Sequence, residues 1–253
     1  VDSGTLSVAT ANDLDAITSG TVTADIATDS TIDSLVTLTG TNAYTIKISS
    51  LDLLGSTAEE LIAIDNATTE IVDATAIFNI EGTYDQITFL YNSSGMSDLG
   101  NENINIIGEL SVIEANTLDA LTEGTITGSI SASERVSSLI DLTGNNDYGI
   151  TISEEDALSS QVSDLNTING KTTGFVNLTN VESVTSSISD LQLFANSVSD
   201  GDFINANEAV SIALTDSTLS LTDLNFAIET SNTLNEEEVA ITTFTLSSGA
   251  TIN

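Results

Sequence analysis

The stretch from Ala11 to Ile26, Ala-Asn-Asp-Leu-Asp-Ala-Ile-Thr-Ser-Gly-Thr-Val-Thr-Ala-Asp-Ile, returns between Ala115 and Ile130 as Ala-Asn-Thr-Leu-Asp-Ala-Leu-Thr-Glu-Gly-Thr-Ile-Thr-Gly-Ser-Ile. The offset of 104 residues holds without a gap well outside that stretch. Leu6, Leu35, Gly40, Tyr44 and Ile48 fall on Leu110, Leu139, Gly144, Tyr148 and Ile152. Leu61, Ile64, Thr68 and Val72 fall on Leu165, Ile168, Thr172 and Val176. A repeat this long constrains the architecture before any single residue does. Units that cannot bury an apolar face alone must bury it against their neighbours.

Each copy divides again into four units, a short helical pattern followed by a short extended one. The helical signature is two apolar residues three apart, behind a Ser, Thr, Asn or Asp able to cap. It occurs at Leu14/Ile17, Ile32/Leu35, Leu61/Ile64 and Ile87/Leu90, then at Leu118/Leu121, Val136/Leu139, Leu165/Ile168 and Leu191/Phe194. Leu224 with Ile228 opens a ninth unit. The extended signature is period-two alternation of β-branched residues. Its inward sets are Val22-Ala24-Ile26, Tyr44-Ile46-Ile48, Val72-Ala74-Ala76 and Ile104-Ile106 in the first copy. In the second they are Ile126-Ile130, Tyr148-Ile150-Ile152, Val176-Leu178 and Val210-Ile212-Leu214, and Val239-Ile241 closes the chain. Gly20, Gly40, Gly124, Gly144 and Gly174 precede strands, where a left-handed backbone is expected.

A quarter of the offset is about 26 residues, the period of α/β solenoids of the leucine-rich type. The expected fold is therefore an α/β solenoid of about nine strand-plus-helix units with a parallel sheet. An all-β solenoid, with the helical segments as turns, is the alternative. Residues 1–253 read as one continuous body, with a first four-unit block at 6–109, a second at 110–214, and the ninth unit with a C-terminal strand at 215–253. Long polar loops are expected at 92–101 and 196–205, on one edge of the stack.

Charge and composition narrow the function. Thirty-eight acidic residues face only Lys47, Arg135 and Lys171, a formal net charge of −35. Such a field repels nucleic-acid phosphates and anionic lipid, and favours cations and high salt. The chain has no Cys, so it holds no disulfide and no thiolate metal site. No apolar run reaches the 18 residues of a membrane span. A start at Val1 rather than Met reads as a processed product or a fragment.

Leu-Asp-Ala-Ile-Thr-Ser-Gly-Thr-Val-Thr-Ala at 14–24, Leu-Thr-Gly-Thr-Asn-Ala-Tyr-Thr-Ile at 38–46 and Asp-Leu-Asn-Thr-Ile-Asn-Gly-Lys-Thr-Thr-Gly at 164–174 carry a resemblance. They are similar to the low-complexity Ser/Thr/Ala-rich repeats of very large secreted surface and adhesin-like proteins of marine cyanobacteria and other marine bacteria. The resemblance covers nearly the whole chain. It implies an extracellular structural, adhesive or filament-forming role, often calcium-dependent. The chain departs from that family in being short and in lacking the Gly-Gly-x-Gly-x-Asp nonapeptides of calcium β-rolls.

With neither His nor Cys, acid–base chemistry would fall to carboxylates, Lys or Tyr. Glu59-Glu60, Glu154-Glu155-Asp156 and Glu236-Glu237-Glu238 sit in polar loops or at helix starts, where a solvated or dipole-facing role is the default. No enzyme activity is expected. Calcium is the one cofactor candidate: Asp200, Asp202, Asn205, Asn207 and Glu208 offer hard oxygen ligands in one loop. The loop is not an EF-hand, because its sixth position is Asn205 and its twelfth Ser211, and a plain polar turn competes with the metal reading. The function expected is that of a subunit or segment of a cell-surface filament or surface layer, self-associating end to end. An adhesin module that contacts glycan or a surface through the long loops, and a viral fibre segment, are the alternatives.

Overall fold

The computed structural model describes residues 4–49, 55–158, 160–204, 210–236 and 241–252, and shows a mixed α/β protein. Nine α-helices lie among these residues: α1 (Val8–Ile17), α2 (Ile32–Leu35), α3 (Ala58–Asn66), α4 (Tyr84–Tyr91), α5 (Val112–Asp119), α6 (Val136–Leu139), α7 (Val162–Asn169), α8 (Ile188–Ser199) and α9 (Leu221–Glu236). Each contains one of the nine apolar pairs, except that Leu121 lies two residues beyond the end of α5. The helical segments are helices and not turns, which removes the all-β alternative.

Why these short segments become helical is visible at their starts. The hydroxyls of Ser7, Thr31, Thr57, Thr83 and Ser187 each accept the N–H three residues on. Thr57 with Glu60 and Thr83 with Gln86 close complete capping boxes. Capping orients these helices, but pieces of four to sixteen residues would not persist alone in water. Burial holds them: Leu61, Ile64, Ile87, Leu90, Leu165 and Ile168 are completely covered.

Every strand pair recorded among the described residues is parallel. A parallel pair needs a long crossover between its strands, and here the helices supply it. The chain forms two compact units, one of Val1–Gly108 with Thr117–Thr127, the other of Glu109–Asn116 with Gly128–Asn253. In the first, Thr5–Leu6, Thr23–Ile26 and Ala43–Thr45 form one sheet. Ser56–Thr57 pairs with Asn79–Gly82, which pairs in turn with Asn103–Ile106, the start of strand Asn103–Leu110. In the second, Asp147–Thr151, Val176–Asn177 and Phe203–Ile204 pair in sequence. Ser160–Gln161, Ser183–Ser186, Val210–Leu214 and Ile241–Leu246 make a four-stranded sheet in that order.

The inward sets lie inward almost throughout. Tyr44, Ile46 and Ile48, and Tyr148, Ile150 and Ile152, are no more than 1 % exposed. Two details differ. Ala76 is only half-buried, and Ile77 takes the inward place. Val239 lies outside the described residues, as do the side chains of Val210 and Ile241. The larger departure is a second strand in many units: Ser56–Thr57, Asn79–Gly82, Ser160–Gln161, Ser183–Ser186 and Thr218–Leu219 run directly into helices. Such pieces carry at most one inward apolar side chain each, too little alternation to register as a period.

Two further expectations are corrected. The polar stretch starting at Asn196 is not a loop at first, because α8 continues to Ser199. Gly40 and Gly144 do take the left-handed backbone, with φ of 70° and 71°. Gly20, Gly124 and Gly174 do not, and the last two answer to a close approach described below.

Candidate functional site

The polar side chains that sequence reasoning passed over form the most organised feature of the molecule. Thr172 is buried at the foot of a strand, and its hydroxyl donates to the carbonyls of Tyr148 and Asn146 at 2.8 and 3.0 Å. The same oxygen accepts the N–H of Tyr148 and that of Gly174, both at 2.9 Å. One side chain thereby ties a turn to a strand some 24 residues earlier in the chain. Thr68 does the same, giving to the carbonyl of Tyr44 at 2.7 Å and accepting from Tyr44 and Glu70. Thr122 gives to the carbonyl of Glu102 at 2.7 Å and accepts from Gly124.

Glycine follows two residues after two of these threonines for a steric reason. A Cβ on Gly174 would stand 2.4 Å from the carbonyl oxygen of Tyr148, and one on Gly124 would stand 2.2 Å from that of Glu102. No side chain fits there. The strand of the preceding rung presses directly on the turn.

A second set of bonds joins α1 and α5 each to the turn that follows the next helix. The side chain of Asn12 donates to the carbonyl of Thr37 and accepts from the backbone N–H of Thr39. Asn116, its repeat partner, donates to Asp141 and accepts from Thr143 at 2.9 Å each. Duplication has preserved the contacts as well as the residues.

Three acidic side chains are drawn into this framework. Glu102 is buried and accepts the phenol of Tyr91 at 2.7 Å and the N–H of Gly100 at 2.8 Å. Burial, and then the neighbouring Glu102, push the Tyr91 phenol well above its ordinary range. Asp156 is buried beneath Arg135, which reaches it from Nε and from a terminal nitrogen 2.8 Å away, while the N–H of Val136 supplies a third bond at 2.9 Å. Burial by itself would raise that carboxyl, but Arg135 and the Val136 amide outweigh it and lower it. Lys47 lies 2.6 Å from Asp73 on an exposed face, and its bond, with those from Thr75, brings Asp73 down to about 2.

The acidic clusters singled out from the sequence are used in the same structural way. Glu60 closes the cap of α3. Glu154–Asp156 is a short 3-10 turn, in which Asp156 holds Arg135 and Glu155 pairs with the same guanidinium. Glu236 ends α9, and Glu237 and Glu238 lie outside the described residues. An open cleft of about 480 Å³ is lined by Glu60 and Glu81, but Glu60 is held by Thr57 and Glu81 by Asn105 at 2.7 Å.

Of the calcium candidates, Asp200 caps the C-terminus of α8, and Asp202 accepts from Asn169 at 3.1 Å. Asn205, Asn207 and Glu208 lie outside the described residues. Among the described residues no group of three or more His, Cys, Asp or Glu side chains is placed to hold a metal ion. Nor, among them, is any helix long and apolar enough to cross a membrane.

Comparison of the chain with protein-family models, with curated proteins and with solved structures finds no match.

Proposed function

We propose that this chain is a structural repeat protein of the cell exterior, a subunit or segment of a filament or surface layer that assembles end to end, with no active site. Within each unit the rungs are read as successive turns of an α/β solenoid. One observation carries the proposal: the same rung-to-rung contacts recur 104 residues apart, at Asn12 and Asn116 and at Thr68 and Thr172. The polar groups of a ligand site converge on the ligand. Here they face the next rung, so the polar chemistry is spent on stacking.

Two further features support the reading. The outermost strand of the four-stranded sheet, Ile241–Leu246, has one neighbour among the described residues and so presents an open edge. An unpaired edge is a template for another chain, and a contact between unlike surfaces that does not close into a ring propagates. The net charge of −35 suits an exterior rich in salt and divalent cations, where self-repulsion is screened. Electron microscopy of the purified chain in salt tests the reading. Rows or fibres of particles are expected; isolated single particles at every concentration would reject it.

A further inference from the structure

One set of outward polar side chains has bonding capacity left over. Asn79 stands in register with Asn103, and Glu81 with Asn105, on neighbouring parallel strands. On the other side of Asn103–Leu110, the Ile104 N–H bonds the carbonyl of Thr125 at 3.0 Å, which sets Thr125 and Thr127 beside the same two asparagines. Alternation along the strands sends Ile80, Ile104 and Ile126 into the core and these six residues outward. All six belong to the first unit. They form two rows of three, about 4.8 Å apart from strand to strand and roughly 6.6 Å apart along each strand. Five of them, all but Glu81, line a groove of about 310 Å³.

Bonds inside the grid orient its members without exhausting them. Asn103 donates to the amide oxygen of Asn79 at 3.2 Å and accepts the N–H of Thr125 at 2.9 Å. Asn105 donates to the carboxylate of Glu81 at 2.7 Å. Among the described residues, no hydrogen bond takes up the amide nitrogen of Asn79, the amide oxygen of Asn105 or the hydroxyls of Thr125 and Thr127. Donors, acceptors and hydroxyls are therefore held in fixed positions facing outward. Stacking does not call for these groups. The second copy carries Ser183 and Thr185 where the first has Asn79 and Glu81, in a strand that keeps parallel pairing and a buried aliphatic residue between the two. The outward residues changed there, whereas the contacts of Asn12 and Thr68 were kept by Asn116 and Thr172.

Charge narrows the ligand. Glu81 is the one carboxylate of the six, against the several hard oxygen ligands that a divalent cation takes. The field of a chain with net charge −35 turns an anion away. What fits is a neutral molecule of many hydroxyls, each able to donate one hydrogen bond and accept others. Phe78, the residue immediately before Asn79, is 60 % exposed and offers apolar surface for the carbon face of a sugar ring. We propose that this groove is a binding site for a neutral glycan chain laid across the strands. The site is independent of end-to-end assembly, and neither requires the other.

The test applies the fluorescently labelled full chain to an array of neutral and acidic oligosaccharides. Retention on neutral members and not on uronates is expected, and calorimetry with the best-retained neutral oligosaccharide then gives the affinity. Asn79→Ser combined with Glu81→Thr installs what the second copy already carries, so the melting temperature is expected to hold. Affinity is expected to fall about tenfold or more, the loss of one or two hydrogen bonds. A double variant that binds like wild type would overturn the site. Wild type retained on no neutral glycan, or equally on acidic ones, would overturn the choice of ligand. Halted ice growth without glycan retention would overturn it too, and would assign the grid to ordered water. Should the double variant melt early, Thr127→Val, an exposed change of nearly equal shape, decides in its place: a loss of about fivefold is expected, and unchanged affinity would overturn the site.

Discussion

Arg135 covers the carboxylate of Asp156 with two nitrogens, at 3.0 and 2.8 Å, in a chain that has only two other cations. Asp156 is also bonded by the Val136 N–H, at the first residue of α6, a helix whose cap position carries no side-chain acceptor of its own. Asp156 therefore serves as the cap, and Arg135 makes its burial tolerable. Arg135→Met is expected to destabilise the chain, because a buried charged acceptor is left short of a partner. Asp156→Asn in that background should regain part of the loss. A double-mutant cycle by chemical denaturation would show it, and additive losses would mean that the two side chains act separately.

The threonine ladder makes a contrast between equivalent positions. Thr172→Val removes one donor and leaves the N–H groups of Tyr148 and Gly174 without their acceptor in a buried place. A loss of about 3 kcal/mol is expected from two unsatisfied groups. Thr18→Val strands only the exposed N–H of Gly20 and should fall within about 0.5 kcal/mol of wild type for the isolated chain. Urea unfolding of both variants is the check; equal losses would show that the ladder bonds contribute little.

Glycine behaves likewise. Gly174→Ala pushes a methyl group to 2.4 Å from the Tyr148 carbonyl, which must move for the rung to close. A destabilisation of about 3 kcal/mol, at the upper end for overpacking, is expected there. Thermal melts would show a large fall for Gly174→Ala and none for Gly20→Ala.

Stability should be almost flat across neutral pH, because no His or Cys is present to titrate there. Asp73, Asp156, Asp15 and Asp223 all have lowered carboxyls. Each is held by its partners more firmly as a carboxylate in the folded chain than in the unfolded one. Their contribution is complete above the ordinary carboxyl range near about pH 4 and is lost as pH falls through the lowered values, down to about 2 for Asp73. Tyr91 is raised instead, by burial first and then by Glu102. Its contribution is complete below the ordinary phenol range near about pH 10 and is lost as pH climbs through its raised value. Melting temperatures over pH 2–11 should trace this plateau, and a transition between pH 6 and 8 would contradict it. Added salt should raise the plateau by screening the net negative charge.

Much of the framework was legible in the sequence. Apolar pairs such as Ile87/Leu90 or Leu165/Ile168 mark the nine helices of the described residues, although Leu121 falls beyond the end of α5 and α6 and α7 lack a side-chain cap. Tyr44-Ile46-Ile48 marked an inward strand face equally well. The ladder escaped notice because it depends on distance between rungs, which composition does not carry: Thr122 reads as one threonine among many until Glu102 is seen 2.7 Å away. One signal was available. Thr-x-Gly at 18–20, 122–124 and 172–174 is a constant spacing in otherwise variable turns, and at Gly124 and Gly174 the glycine answers to close approach of a neighbouring strand rather than to a left-handed backbone. The calcium loop reads no further than Asp200 and Asp202, which the structure employs in a helix end and a bond to Asn169.

The paired bonds of Asn12 and Asn116 carry a last consequence. Because Asn12 and Asn116 each bond backbone groups lying 25 to 27 positions along the chain, a tandem copying event delivers a segment together with the bonds it needs. No compensating change elsewhere is required. Length in such a molecule is a quantity that a gene can double in one step, and selection is left to decide only where to stop.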